Sequence, residues 1–296
     1  MNIEITGLTK VYPNGHKAIN NVNLQIGSGM FGLLGPNGAG KSSFMCVLVT
    51  VQQATSGTIL MDGLDINEHR QRIRRMVGYL PQDFTFFSKL KTWEFLDYAA
   101  QLATSLKKKD RMIKVNKLLD QVGLLDVRER MANKLSGGMK RRLGIAQALI
   151  GDPKLLVIDE PTTGLDPEER IRFRNILSDL SQQDVTIILS THIVGDISST
   201  CHNMAMLNKG EVAFKGSPEG MIDQVRGHVW QALLDDEEFN LIKTKYSVVS
   251  TIPTDGKWEV QLIATEQPHP KASHANPNLE HAYVYFMENE LGVSLV

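Results

Sequence analysis

The chain alternates between two textures: short apolar runs bounded by turn residues, and longer stretches with apolar residues at helical spacing. Near the start, Val22, Leu24 and Ile26 alternate with polar residues, the mark of a strand with one buried face. Gly27-Ser28-Gly29 predicts a turn, and Met30 to Leu34 predicts a short buried strand. Gly35 to Lys41 is a glycine-rich loop, and Ser42 to Val49 predicts a helix directly after it. Thr58-Ile59-Leu60-Met61 ahead of Asp62-Gly63 predicts a hairpin. From about Phe84 to Asn133 the pattern turns helical. Thr92 is a candidate cap for a helix carrying Phe95, Leu96, Ala99 and Leu102, and Ile113, Leu118, Leu119 and Val122 line the next.

From Leu155 the short apolar runs return, Leu155-Leu156-Val157-Ile158 and Val185-Thr186-Ile187-Ile188-Leu189, separated by a helix. Fully apolar strands alternating with helices argue for a buried parallel sheet. The intervening helix has Asp166 as cap, Pro167 in its first position and Glu169 three residues past the cap, with Phe173, Leu177 and Leu180 as its buried stripe. The core is expected to finish near Gly216-Ser217-Pro218. The remainder, from about Arg226, predicts a small α+β appendix. Its strands are Val229 to Leu233, Val248 to Ile252 and Trp258 to Ile263; a loop from Glu266 to Asn278 and a helix around Leu279 to Met287 follow.

Composition changes this picture little. Of 296 residues, 42% are hydrophobic and 22% charged, enough for one substantial α/β core and a small second unit. Lys+Arg at 32 against Asp+Glu at 33 leave a net charge of -1, so no global basic field favours nucleic acid or anionic lipid. The runs Lys107-Lys108-Lys109 and Lys140-Arg141-Arg142 are read as solvated helix faces. No secretory signal or stretch of about 20 apolar residues is present, and Cys46 and Cys201 do not form a metal-spaced cluster. The expectation is a cytosolic protein, or one peripheral on the inner face of a membrane. His269, His274 and His281 are expected to be exposed, not metal ligands, because their spacing among prolines is irregular.

The chemistry begins with Gly35-Pro36-Asn37-Gly38-Ala39-Gly40-Lys41-Ser42, which matches G-x-x-x-x-G-K-[ST]. Its glycines let the backbone curl so that successive N–H groups face phosphate oxygens, and the following helix adds its positive end. Lys41 can reach the β- and γ-phosphates, and the Ser42 hydroxyl is placed for Mg²⁺. Leu155 to Glu160 supplies a second half: an apolar strand delivers Asp159 to a metal shell, and Glu160 can deprotonate an attacking water. Leu135-Ser136-Gly137-Gly138-Met139 is a third element. Ser136 can cap a helix whose apolar face is Met139, Leu143, Ala146 and Ile150, which makes a second anion-binding helix end.

Over about residues 1–225 these motifs, in this order, resemble the ATP-binding cassette family. Tyr12 fits the family's aromatic that stacks on adenine, and Gln82 in Tyr79-Leu80-Pro81-Gln82 fits its metal- and water-sensing glutamine. Leu135 to Met139 fits the signature, Gly164-Leu165-Asp166 the loop that crosses to the partner subunit, and His192 in Ser190-Thr191-His192 the switch histidine. One departure is Met139, where much of the family has glutamine; Ser136, Gly137 and Gly138 are retained. With Lys140-Arg141-Arg142-Leu143 and Pro81-Gln82-Asp83, the pattern looks like an exporter branch that pairs a single-cassette chain with a separate membrane subunit.

The resemblance implies a P-loop NTPase core of the α/β class, a mostly parallel sheet flanked by helices. It adds an antiparallel β subdomain and a helical signature subdomain over about 84–150; the α+β extension from 226 to 296, read from its own pattern, lies beyond the resemblance. The resemblance implies ATP and Mg²⁺, with Ser42, Gln82 and Asp159 at the metal and Lys41, Gln82, Glu160 and His192 catalytic. Nucleotide contacts are expected from Tyr12, Gly35, Pro36, Asn37, Gly38, Ala39, Gly40, Lys41, Ser42 and Ser43 of one copy. Ser136, Gly137, Gly138 and Asp166 would come from a second copy in a head-to-tail homodimer. A separate transmembrane permease subunit is the expected partner. Two rivals stand beside this reading: a soluble cassette ATPase that moves no solute, such as one serving cluster assembly, and a different phosphate-loop enzyme such as a small-molecule kinase.

Overall fold

The computed structural model describes residues 1–85 and 89–290, which fall into two compact units. Met1–Asp196 and Thr200–Lys215 form the first; Ile197–Ser199 and the chain from Gly216 onward form the second.

The first unit opens with β1 (Ile3–Val11) and β2 (Lys17–Ile26), an antiparallel pair in which Val22, Leu24 and Ile26 face inward. Then come β3 (Met30–Leu34) and α1 (Lys41–Leu48). The predicted hairpin is β4 (Ser56–Met61) and β5 (Leu64–Asp65), turning through Asp62 and Gly63 at φ 47 and 78. After it come α2 (Arg70–Met76), β6 (Val77–Leu80), α3 (Thr92–Ala103), α4 (Lys108–Gln121) and α5 (Gly137–Leu149). The chain continues through β7 (Leu155–Asp159), α6 (Pro167–Ser181), β8 (Thr186–Thr191), α7 (Val194–Ser198), β9 (Asn203–Asn208) and β10 (Glu211–Gly216).

Two sheets result. One has the order β2-β1-β4-β5; the other has the order β10-β9-β3-β8-β7-β6, with β9, β3, β8, β7 and β6 paired in parallel. α1 packs in one buried cluster with both. Phe44, Met45, Val47 and Leu48 meet Leu33, Val157 and Ile188 of the parallel sheet and Leu8, Ile19, Leu24 and Ile26 of the antiparallel one. Each such side chain removed from water contributes about 1.5–3 kcal/mol, so the helix that carries Lys41 is anchored by much of the core.

The helical stretch departs from the sequence reading in three places. Lys91 is the residue before α3, and Thr92 is its first helical residue, buried with its hydroxyl donating to the Arg130 carbonyl at 2.9 Å. Glu94 Oε2 accepts from the Lys91 N–H at 2.8 Å and closes that helix end. Leu102 is 74% exposed, and Ala100 takes the inward position beside Phe95 and Leu96. Ile113 is 60% exposed; Val115 supplies the buried position with Leu118, Leu119 and Val122. Residues 86–88 of this stretch lie outside the described residues. Lys107, Lys108 and Lys109 are exposed as expected, whereas Arg142 is buried, so the solvated-face reading fails for the second basic run.

The second unit contains α8 (Pro218–Asp223), β11 (Val229–Leu234), α9 (Asp236–Lys243), β12 (Ser247–Thr254), β13 (Lys257–Ile263), β14 (Ser273–His274) and α10 (Leu279–Tyr285). Its sheet has the order β12-β13-β11-β14, and its core gathers Trp230, Leu234, Ile242, Val260 and Leu262. The loop expected from Glu266 to Asn278 holds β14, which pairs with β11.

His281 corrects another expectation. It is 2% exposed, with Nδ1 accepting from the Asn278 N–H at 3.1 Å, which leaves Nε2 to donate to Gln261 Oε1 at 3.1 Å. Burial lowers its pKa, with Glu280 opposing. The unfolded chain therefore takes up this proton at higher pH than the folded one. Stability present above the ordinary histidine value of about 6.5 is lost as pH falls toward the lower folded value. The melting temperature of the full chain is expected to fall between pH 7 and pH 5 more steeply for the unaltered protein than for His281→Gln. Equal slopes would show that this ring does not titrate on unfolding.

Candidate active site

Parallel β3, β8, β7 and β6 lie side by side, and each ends at a residue the sequence singled out. The register pairs Leu34 with Thr191, Asp159 with Ser190, and Leu80 with Ile158. The next residues along the four strands are Gly35, His192, Glu160 and Pro81-Gln82. Adjacent carboxyl ends of a parallel sheet thus bring distant sequence segments to one edge, where ligands bind in such folds.

The loop from Gly35 to Gly40 depends on glycine at two of its positions. A Cβ on Gly35 would stand 2.3 Å from the Leu207 carbonyl oxygen, and one on Gly40 2.2 Å from that of Ala18, where φ is 102. Backbone this close to its neighbours leaves the loop's other side open. A cavity of about 340 Å³ is lined there by Asn37, Gly38, Ala39, Gly40, Lys41, Ser42, Ser43, Gln82 and Glu160, together with His16 and Ala18.

Its charges are buried and mutually paired. Lys41, 5% exposed, donates to the Gly35 and Pro36 carbonyls at 2.7 and 3.2 Å and pairs with Glu160 Oε1 at 3.2 Å. Glu160, 4% exposed, meets His192 Nδ1 at 2.5 Å through Oε2, which also accepts from the Thr163 hydroxyl at 3.0 Å. Burying one ion alone costs several kcal/mol, so this chain of contacts is what permits the burial. Glu160 sits at φ 49, a left-handed conformation uncommon outside glycine, held by its N–H to the Ser190 carbonyl at 3.1 Å. Asp159 is buried and accepts from the Ser190 hydroxyl. Beneath it, burial raises the Tyr79 pKa, with Cys46 and Asp159 adding to the rise, and burial likewise raises the Cys46 thiol, so this floor stays protonated and neutral.

Oxygen donors suit Mg²⁺: the Ser42 hydroxyl is exposed toward the cavity that Gln82 also lines, and Asp159 ends the neighbouring strand. Tyr12 is adjacent but does not line the cavity. Its hydroxyl is within 3.0 Å of the Ser43 hydroxyl and donates to Gln52 Oε1 at 3.1 Å. His16 stacks beside it, ring centroids 6.3 Å apart. Sequence reasoning missed His16, although Pro13-Asn14-Gly15 was a turn signal: the Tyr12 N–H donates to the His16 carbonyl at 2.9 Å. Thr163 and Ser190 were missed as well: a short turn brings the Thr163 hydroxyl to Glu160, and strand adjacency brings that of Ser190 to Asp159.

Ser136, Gly137, Gly138 and Asp166 do not line this cavity. Ser136 caps α5 by accepting from the Met139 N–H at 3.2 Å, and Asp166 caps α6 by accepting from the Glu169 N–H at 2.8 Å. These two helix starts are joined. Arg142, midway along α5, is 4% exposed and pairs with Glu169 at 3.2 Å, while its Nη1 donates to the carbonyls of Val122 and Gly123 at 2.8 and 2.9 Å. A Cβ on Gly138 would lie 2.2 Å from Glu169 Oε2, so glycine there lets the carboxylate lie against the signature backbone.

The sequence model of the family described as ABC transporter matches residues 19–163. A lipopolysaccharide export system ATP-binding protein, LptB of Escherichia coli, is 32% identical over 237 residues, 79% of this chain and 97% of that protein. The chain belongs to the ABC transporter family. An ABC transporter ATP-binding protein of Bacillus subtilis, YxlF, is 34% identical over 77% of this cassette and 75% of its own length. One from Synechocystis is 34% identical over 76% of this cassette and 66% of its own length. Among solved structures, cbiO1 of Clostridium perfringens, part of an ABC transporter complex, gives a TM-score of 0.69 at 27% identity. That match covers 75% of this cassette and 90% of that chain. A bacterial ABC transporter cassette with a dimeric structure gives 0.67 at 25% identity, covering 73% and 98%. The α/β cassette fold expected from the motifs is the fold observed.

The Arg142–Glu169 pair gives a direct test of this geometry. Glu169→Ala leaves a buried guanidinium without its carboxylate and is expected to lower unfolding stability by about 3 kcal/mol. A urea midpoint unchanged from that of the unaltered cassette would show the pair to be energetically idle.

Proposed function

We propose that this cassette hydrolyses ATP as a head-to-tail homodimer and drives transport, in the export direction, through a separate membrane-spanning subunit. The observation that carries the proposal is the buried Lys41–Glu160 pair at the mouth of the glycine loop, continued by the half-buried His192. In this reading residues 1–225 are the nucleotide-binding domain and 226–296 an appended unit. Among the described residues no helix is long and apolar enough to cross a membrane, which is in keeping with a partner that does so.

Each residue has a role that its contacts support. The Lys41 ammonium has three donors, already engaged by two carbonyls and Glu160, so donating to a phosphate oxygen means exchanging one of those partners. That exchange frees a Glu160 oxygen to take a proton from water, while His192 and Thr163 hold the other. Backbone N–H groups from Asn37 to Ser43 cradle the phosphates, and Tyr12 and His16 offer ring faces for the base. Mg²⁺, held by Ser42 and Asp159 with Gln82, would neutralise charge on the β- and γ-phosphates. The Ser136 helix start and Gly138, with Asp166, serve the nucleotide of the opposite subunit, which makes ATP the adhesive of the dimer.

Export rests on the resemblance of the signature run to exporter cassettes and on the likeness to LptB, named for lipopolysaccharide export. The cluster-assembly alternative would be favoured by co-purification with a soluble scaffold in place of a membrane protein. A kinase reading gives no role to Ser136 and His192 and requires an acceptor for phosphate transfer.

Two substitutions test the dimer and the base. Glu160→Gln is expected to keep ATP affinity, to accumulate as an ATP-bound dimer on size-exclusion chromatography and to lower turnover by at least a hundredfold. Near-normal phosphate release would strip Glu160 of its role. Ser136→Arg in the Glu160→Gln background is expected to bind ATP as a monomer. Dimers persisting there would place the trans contact elsewhere.

A further inference from the structure

α5 lies closely along β6, the strand that leads to Gln82. A Cβ on Gly144 would come within 2.6 Å of Leu80 Cδ1, and one on Gly78 within 2.2 Å of the Ala148 carbonyl oxygen. Residues 141, 144 and 148 share one helix face by their spacing. Two glycines thus set the distance between helix and strand, and the third position of that face carries a charged fork. Arg141 Nη1 donates to the Gln82 carbonyl at 2.6 Å and to the Pro81 carbonyl at 3.3 Å. Arg141 is half-buried, and Asp83, Asp159 and Glu160 surround it with negative charge. Nothing in phosphate binding, metal binding or water activation asks for this contact.

A guanidinium gripping two successive carbonyls fixes the orientation of the peptides on both sides of Gln82. Fixing them sets the direction in which the Gln82 side chain leaves the backbone toward the cavity. The same helix starts at Ser136 and is tied to α6 through Arg142. One rigid element therefore touches the sensor segment at one residue and the trans-acting helix start five residues earlier.

We propose that Arg141 is a positioning residue for Gln82: it couples the seating of α5 to the placement of the Gln82 amide at the metal and the attacking water. This rests on the role given to Gln82 above. Arg141 acts on turnover and metal use, not on nucleotide capture, because the Gly35–Lys41 loop does not depend on it.

The test uses the full-length cassette. Turnover, the Mg²⁺ concentration for half-maximal rate, ADP affinity and melting temperature are measured for Arg141→Ala, Arg141→Lys, Gln82→Ala and the Arg141→Ala/Gln82→Ala double variant. Turnover is expressed per ADP-binding site, which removes any loss of folded protein. Arg141→Ala is expected to lower turnover about tenfold and to raise the Mg²⁺ requirement, with ADP affinity within twofold of the unaltered cassette. Arg141→Lys, which keeps the charge and a donor, should recover part of the rate. The double variant should be no slower than Gln82→Ala, since both changes act through one side chain. Turnover per site within twofold of normal in Arg141→Ala, or a double-variant loss equal to the product of the single losses, overturns the proposal. If Arg141→Ala yields no folded protein, Arg141→Gln is read by the same criteria. Normal turnover and Mg²⁺ dependence in Gln82→Ala would instead remove the role of Gln82 itself, a failure read from that variant alone.

Discussion

Two oppositely charged side chains held out of water, Lys41 and Glu160, must satisfy one another, and the site is organised by that requirement. Lys41 and Glu160 are each almost fully buried and contact each other, and His192 completes the run from the less enclosed side. An isolated ion in such a place would cost more than the core could return. The mutual pairing keeps the cation and the carboxylate, the two ends of the proposed reaction centre, in register. It also ties the loop after β3 to the ends of β7 and β8, so that the chemistry and the sheet share one set of constraints.

The sheet supplies positions and the surrounding elements supply tension. Glycine at 35 and 40 lets the loop pass within reach of the Leu207 and Ala18 carbonyls, which no side chain would permit. Glu160 is held in a left-handed conformation by hydrogen bonds to Ser190 on the next strand, an arrangement that costs backbone energy and aims the carboxylate at Lys41. α1, packed with both sheets, keeps Lys41 from yielding when those contacts change.

Much of this was legible in the residue pattern, for definable reasons. Buried strands such as Leu155 to Ile158 announce themselves by unbroken apolarity, and the cap Asp166-Pro167 with Glu169 announces α6 by fixed offsets. What escaped was set by tertiary neighbours. Leu102 and Ile113 obey helical spacing yet face outward, because Ala100 and Val115 fit the narrow contact between α3, α4 and α5. Arg142 looked like one of three surface cations, and only the fold reveals Glu169 and two carbonyls around it. His281 reads as exposed from its irregular spacing among prolines, yet Asn278 and Gln261 bracket its ring. Thr163 and Ser190 carry no motif of their own; strand register and a short turn give them their partners.

The close approach of Gly78 to Ala148 gives α5 a fulcrum at its far end. Thirteen residues of helix span about 20 Å, so pivoting by roughly ten degrees there sweeps Ser136 through about 3 Å. That travel is comparable to the whole length of a hydrogen bond. Were α5 to rock on that base, contact at its tip would be made or broken with no need for any part of the helix to bend or unwind.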